Sequence, residues 1–116
     1  MRSDDLYLSD IVQAADSIAR FVEGLDEDRF ISDDLVRSAV LHKLTVIGEA
    51  AARVSSELKQ SHPGIPWVDI VGFRNIAVHA YFSVDWRLVW YAAVSDAPVL
   101  ERDIEAIMRK NGPGSN

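Results

Sequence analysis

Between Asp4 and Gly24 the apolar residues Leu6, Ile11, Ala14, Ala15, Ile18, Phe21 and Val22 recur at steps of three and four, which places them on one face of an amphipathic helix that Gly24 ends. Leu25 to Phe30 reads as a charged connector. Ser32, followed by Asp33 and Asp34, offers a hydroxyl cap and two carboxylates to the positive end of a second helix, which the spacing of Val36, Val40, Leu41, Leu44, Ile47, Gly48, Ala51, Val54 and Leu58 carries to about Lys59. That apolar band covers half the helix circumference, and its small patch Gly48, Ala50, Ala51, Ala52 lets another backbone approach, as suits the central helix of a bundle.

Two prolines and a glycine break the pattern at Ser61 to Pro66, with Pro66 as the expected first residue of a third helix that runs to His79 and turns Ile70, Phe73 and Ala77 inward. Ser83 and Asp85 restart a helix, and Val84, Leu88, Val89, Ala92, Ala93, Val99, Leu100, Ile104 and Ile107 extend it to near Lys110. Pro98 is expected to kink this fourth helix without stopping it, because the apolar spacing continues beyond. No segment alternates in the manner of a strand. The expected fold is all-α, an up-and-down four-helix bundle spanning residues 1–110, with 111–116 as a flexible tail.

At 116 residues and 48% hydrophobic content the chain supports one core without staples. It has no cysteine, which excludes thiol catalysis, cysteine-ligated zinc and disulfides, and fits a reducing cytoplasm. The start lacks an apolar signal core and the longest apolar run, Leu88 to Val94, cannot span a bilayer, so a cytoplasmic protein with no membrane contact is expected. Three histidines without shared spacing give no zinc site, and no cofactor is implied. The net charge of −6 argues against broad, sequence-independent capture of nucleic acid and leaves room only for a local cationic cleft.

The densest chemistry lies between Gly72 and Phe82, where Arg74, Asn75, His79 and Tyr81 fall within eight residues. Arg74 can brace a phosphate with a fork of donors, and an imidazole such as that of His79 exchanges protons near neutral pH, a pair suited to phosphodiester chemistry. Asn75 and His79 share a helix face, whereas Arg74 sits roughly 140° around an ideal helix from His79. Either the helix ends near His79 and the chain turns, or a second copy completes the site. The bland alternative is a surface arginine paired with an acid and a histidine capping the helix C-terminus. His42, Glu49 and Arg53 fall on the polar side of the second helix, where Glu49 and Arg53 have the order of an exposed ion pair; a lean of Glu49 into the Arg74 cleft is the other possibility. His62 reads as a solvated loop residue.

The series Arg74, four residues, His79, one residue, Tyr81 resembles the signature of HepT-type toxins in the HEPN superfamily. The likeness extends through Pro66-Trp67, Ile70, Gly72 and Asn75 upstream, through Asp85, Val89 and Trp90 downstream, and to Ile47-Gly48-Glu49-Ala50-Ala51. It implies a four-helix bundle and a metal-independent endoribonuclease acting on RNA. His79 would serve as general acid or base, Arg74 as the brace on the scissile phosphate, and Asn75 and Glu49 in support. It also implies a homodimer whose cleft is built from two copies. The expected role is the toxin of a type VII-like toxin–antitoxin pair, silenced when an MntA-like nucleotidyltransferase transfers AMP to Tyr81. The rival reading is a non-catalytic helical module whose motif binds a nucleotide or a partner.

Overall fold

The computed structural model describes residues 2–79 and 84–111, with side chains described to 76 and again from 84 to 110. All described elements are helical: α1 (Asp4–Val22), α2 (Glu27–Ser32), α3 (Asp34–Arg53), α4 (Ser56–Ser61), α5 (Trp67–His79), α6 (Trp86–Tyr91), a π-helical turn (Ala92–Asp96) and α7 (Ala97–Asn111). The four long units are α1, α3, α5 and the rod made of α6, the π turn and α7. α3 is central, packed against α1 on one side and α5 on the other, while α1 also packs against α7. This is the expected up-and-down bundle, and one continuous core runs through it, with Leu8, Ile11, Ile18, Val40, Leu44, Ile47, Val89 and Ile104 excluded from solvent.

α1 ends as its sequence predicts. Gly24 takes a φ of 77°, the left-handed conformation that a glycine adopts without Cβ strain, and Leu25 N–H reaches back to the Val22 carbonyl. Asp85 caps α6 by accepting from Arg87 N–H at 3.1 Å. The fourth unit continues through Pro98, as the apolar spacing predicts, by way of a π-helical turn. Pro98 has no N–H and its ring collides with a carbonyl four residues back in a regular helix; the chain widens into a π turn just before it, in which Ala97 N–H bonds to Ala92 O.

Three boundaries differ from the sequence reading. The segment expected as a charged connector contains the one-turn helix α2, because Asp26 accepts from Arg29 N–H at 2.8 Å and Phe30 is fully buried. Phe30 meets Trp86 edge-on, with centroids 6.4 Å apart, and Trp90 at 5.2 Å. The cap of α3 is consequently Asp33, which accepts from Val36 N–H, while Ser32 closes α2 through its hydroxyl. Finally, α3 stops at Arg53 instead of continuing to Lys59. Val54 turns extended and stays buried, and Ser55 caps the short α4 by accepting from Leu58 N–H. The Asp4 carboxylate fixes this break, accepting from both Ser55 N–H (2.9 Å) and Ser55 Oγ–H (2.6 Å).

Candidate active site

α5 begins where Trp67 is locked in place. Its indole Nε1–H donates to the His62 carbonyl at 3.0 Å, the side chains of Ile65, Trp67 and Ile70 are buried, and Pro66 lends its carbonyl to Ile70 N–H. The helix then runs without interruption to His79. Arg74 and His79 therefore belong to one continuous helix, in which positions five apart are offset by about 140°. Asn75 is exposed and precedes His79 by four positions, about one helical turn. The His79 side chain and Tyr81 lie outside the described residues.

The position of Arg74 is set by Gly48. A Cβ on Gly48 would collide with the Arg74 backbone nitrogen and would lie 3.0 Å from Arg74 Cβ and 3.1 Å from its Cα. α3 and α5 thus touch backbone to backbone at this level, the close approach that the small residues of α3 anticipate. Arg74 leaves that seam half-buried. Among the described residues its guanidinium takes part in no ion pair or hydrogen bond, and a guanidinium's fork of donors suits an external anion.

Glu49 sits elsewhere. It is exposed and lines a groove between α1 and α3 together with Arg2, Tyr7, Asp10, His42 and Arg53; Arg74 is not part of that groove. The cause is helix geometry: Gly48 faces α5, and the next residue is rotated by about 100°, toward α1. The expected Glu49–Arg53 ion pair is not formed either. In this groove the carboxylate that pairs is Asp10, at 2.7 Å from Arg2, whose guanidinium also stacks over the Tyr7 ring at 4.8 Å.

Sequence reading overlooked the surroundings of Trp86, the first residue after the Asp85 cap. The Arg37 guanidinium lies 4.7 Å over the Trp86 ring and also binds Asp34, tying the start of α6 to the start of α3. Spacing could not disclose it, because Arg37 and Trp86 are far apart in the chain.

Residues 11–107, which include Arg74, His79 and Tyr81, match the family described as Ribonuclease HepT-like. The chain belongs to that family. It is 33% identical over 101 residues to a Methanocaldococcus jannaschii protein named "Putative RNase MJ1380", covering 87% of this chain and 93% of the other. It is 34% identical over 108 residues to the "Probable ribonuclease HepT" of Thermococcus cleftensis, covering 93% and 98%. A Caldanaerobacter subterraneus protein named "Putative RNase TTE0752" is 30% identical over 110 residues, covering 95% and 98%. No solved structure matches the chain significantly. Among the described residues no helix is long and apolar enough to cross a membrane.

Proposed function

We propose that this HepT-like protein is the ribonuclease toxin of a toxin–antitoxin pair and cleaves RNA through Arg74 and His79. The observation that carries the reading is Arg74, pinned by Gly48 at the α3–α5 seam with no carboxylate among the described residues to neutralise it, in a chain whose relatives bear ribonuclease names. A phosphodiester is the natural counterpart of such a guanidinium.

In the mechanism His79 takes the proton from the RNA 2′-hydroxyl, which attacks the adjacent phosphorus. Arg74 balances the charge that builds on the non-bridging oxygens, and an imidazolium returns a proton to the departing 5′-oxygen. No metal enters these steps. Asn75, one turn before His79, orients the imidazole or a phosphate oxygen. Because positions five apart on one helix are offset by about 140°, the working cleft is assembled by two copies about a two-fold axis, lined by α5 and α6, so that the cation of one meets the imidazole of the other. Glu49 lines the α1–α3 groove and is assigned no step.

Silencing follows from the same electrostatics. An MntA-like nucleotidyltransferase transfers AMP to Tyr81, two residues from His79, and the added phosphate occupies the cation that RNA needs. The test is growth after induction with and without a neighbouring nucleotidyltransferase, combined with mass spectrometry of the peptide spanning Asn75 to Arg87. The proposal expects toxicity alone, rescue on co-expression and AMP on Tyr81. Tyr81→Phe should stay toxic in the presence of the transferase, and rescue of that variant equal to wild type would refute the modification.

A further inference from the structure

The bundle is left open between α5 and α7, and a groove of about 410 Å³ runs there. Its walls are apolar. Phe73 is half-buried, and Tyr91 and Val99 are 60% and 47% exposed although each faces the groove. Around this apolar floor stand Asp69 on α5 and Asp96 and Asp103 on the opposite rod, and among the described residues no basic side chain lines the groove. Among the described residues Asp69 and Asp96 form no ion pair, and Asp103 has only its exposed neighbour Arg102, at 3.3 Å. Partial burial, and after it the charge of Asp69, raise the Asp96 carboxyl above its ordinary value, so the two acids oppose each other across the groove without a cation between them.

An apolar trough with an uncompensated acidic rim selects among occupants. RNA would bring phosphates against three carboxylates. A second copy laid groove on groove would double the acids on a chain that already carries a net charge of −6. A metal ion finds no converging ligand set among the described residues. What fits is the opposite pattern, apolar side chains flanked by cations.

We propose that the α5–α7 groove is a docking site for a short cationic amphipathic helix of a partner protein, its apolar face on Phe73, Tyr91 and Val99 and one lysine or arginine seated between Asp69 and Asp96. Helices laid into hydrophobic grooves use this combination of apolar anchors for affinity and rim charges for specificity. The docking site lies beyond the ribonuclease reading and stands whether or not Arg74 and His79 cleave RNA.

The probe is a fluorescein-labelled leucine–lysine peptide patterned as an amphipathic helix, with a scrambled peptide of equal composition beside it, titrated against the full chain by fluorescence anisotropy. The patterned peptide is expected to bind more tightly than the scrambled one. Removing two of the three rim charges with Asp69→Asn/Asp96→Asn is expected to weaken it about ten-fold, whereas the equally discharged control Glu23→Gln/Glu57→Gln, at exposed positions away from the groove, changes binding less than about two-fold. Val99→Ser should weaken it as well, with circular dichroism confirming that each variant is folded. Equal binding of the two peptides, equal loss in the two discharged variants, or no loss in Asp69→Asn/Asp96→Asn would overturn the proposal. So would sedimentation showing that Val99→Asp dissociates an oligomer of the wild type, since the groove would then be covered by a second copy.

Discussion

Gly48 on α3 and Arg74 on α5 are in backbone contact: a Cβ on the glycine would stand 3.0 Å from Arg74 Cβ and closer still to the Arg74 nitrogen. The atoms in the way are main chain, which cannot rotate aside. Gly48→Ala therefore forces α5 away from α3 and is expected to cost about 1–3 kcal/mol, read as a lower midpoint in thermal or urea denaturation. RNA cleavage should fall by more than the loss of folded protein explains, because Arg74 moves with the helix. A variant as stable as wild type would show that the two helices separate freely.

The break between α3 and α4 depends on a contact across the bundle. Asp4→Ala leaves Ser55 N–H and Oγ–H without their acceptor and is expected to destabilise by about 1–2 kcal/mol. Ser55→Ala should cost a similar amount, and the double variant less than the sum, since both remove the same interaction. A fully additive cycle in chemical denaturation would contradict the shared contact.

These two contacts also mark how far the sequence was legible. The bundle and its order follow from periodicity, as does the continuation of the fourth unit past Pro98, and the Gly24 stop and the Asp85 cap follow from local chemistry that a single residue declares. Gly48 could be read as a place of close approach, but not which residue approaches. The ends of α3 were misplaced because apolar spacing continues through Val54 and Leu58, while the break is made by Asp4, distant in the chain. α2 was passed over because Leu25 to Phe30 is mostly charged, and what makes it helical is Phe30 packing on Trp86 and Trp90, again distant. At the candidate site the residue types were legible from Arg74 to Tyr81. The orientation of Glu49 was not, since it depends on which neighbour flanks each face of α3.

The aromatic cluster offers a second test of packing. Phe30→Ala empties a fully buried site between α2, α3 and α6 and is expected to cost about 3–5 kcal/mol, measured by urea denaturation. A loss under about 1 kcal/mol would mean that α2 contributes little to the fold.

Stability should vary with pH through Asp96. Its carboxyl is raised by burial and by Asp69, so the folded state holds that proton more tightly than the unfolded chain does. The associated stabilisation is present while the group is protonated and is lost as pH rises through its raised folded value. Asp96→Asn, which stays neutral, should match wild type in acid below the ordinary aspartate range and melt slightly higher at neutral pH. The gain is small, under about 1 kcal/mol, because solvent screens a partly exposed group. Thermal melts across that range check the sign; a variant that loses stability relative to wild type as pH rises would contradict it.

If the cleft draws Arg74 from one copy and His79 from the other, two dead variants can complement. Arg74→Ala and His79→Ala, co-expressed with different tags and purified as the mixed dimer, should regain RNA cleavage that neither possesses alone, since one of the two composite clefts is intact. A mixed dimer as inactive as its parents would place both residues of a working cleft in one copy.

The central claim is most directly tested by cleavage of a labelled RNA in EDTA by wild type, Arg74→Ala and His79→Ala prepared side by side. Cleavage by the wild type should persist without divalent metal, and each substitution should lower its rate by at least about a hundred-fold while the folded fraction stays unchanged. Cleavage of equal rate in all three proteins would contradict the assignment of the chemistry to Arg74 and His79, and wild-type cleavage abolished by EDTA would contradict the metal-independent mechanism.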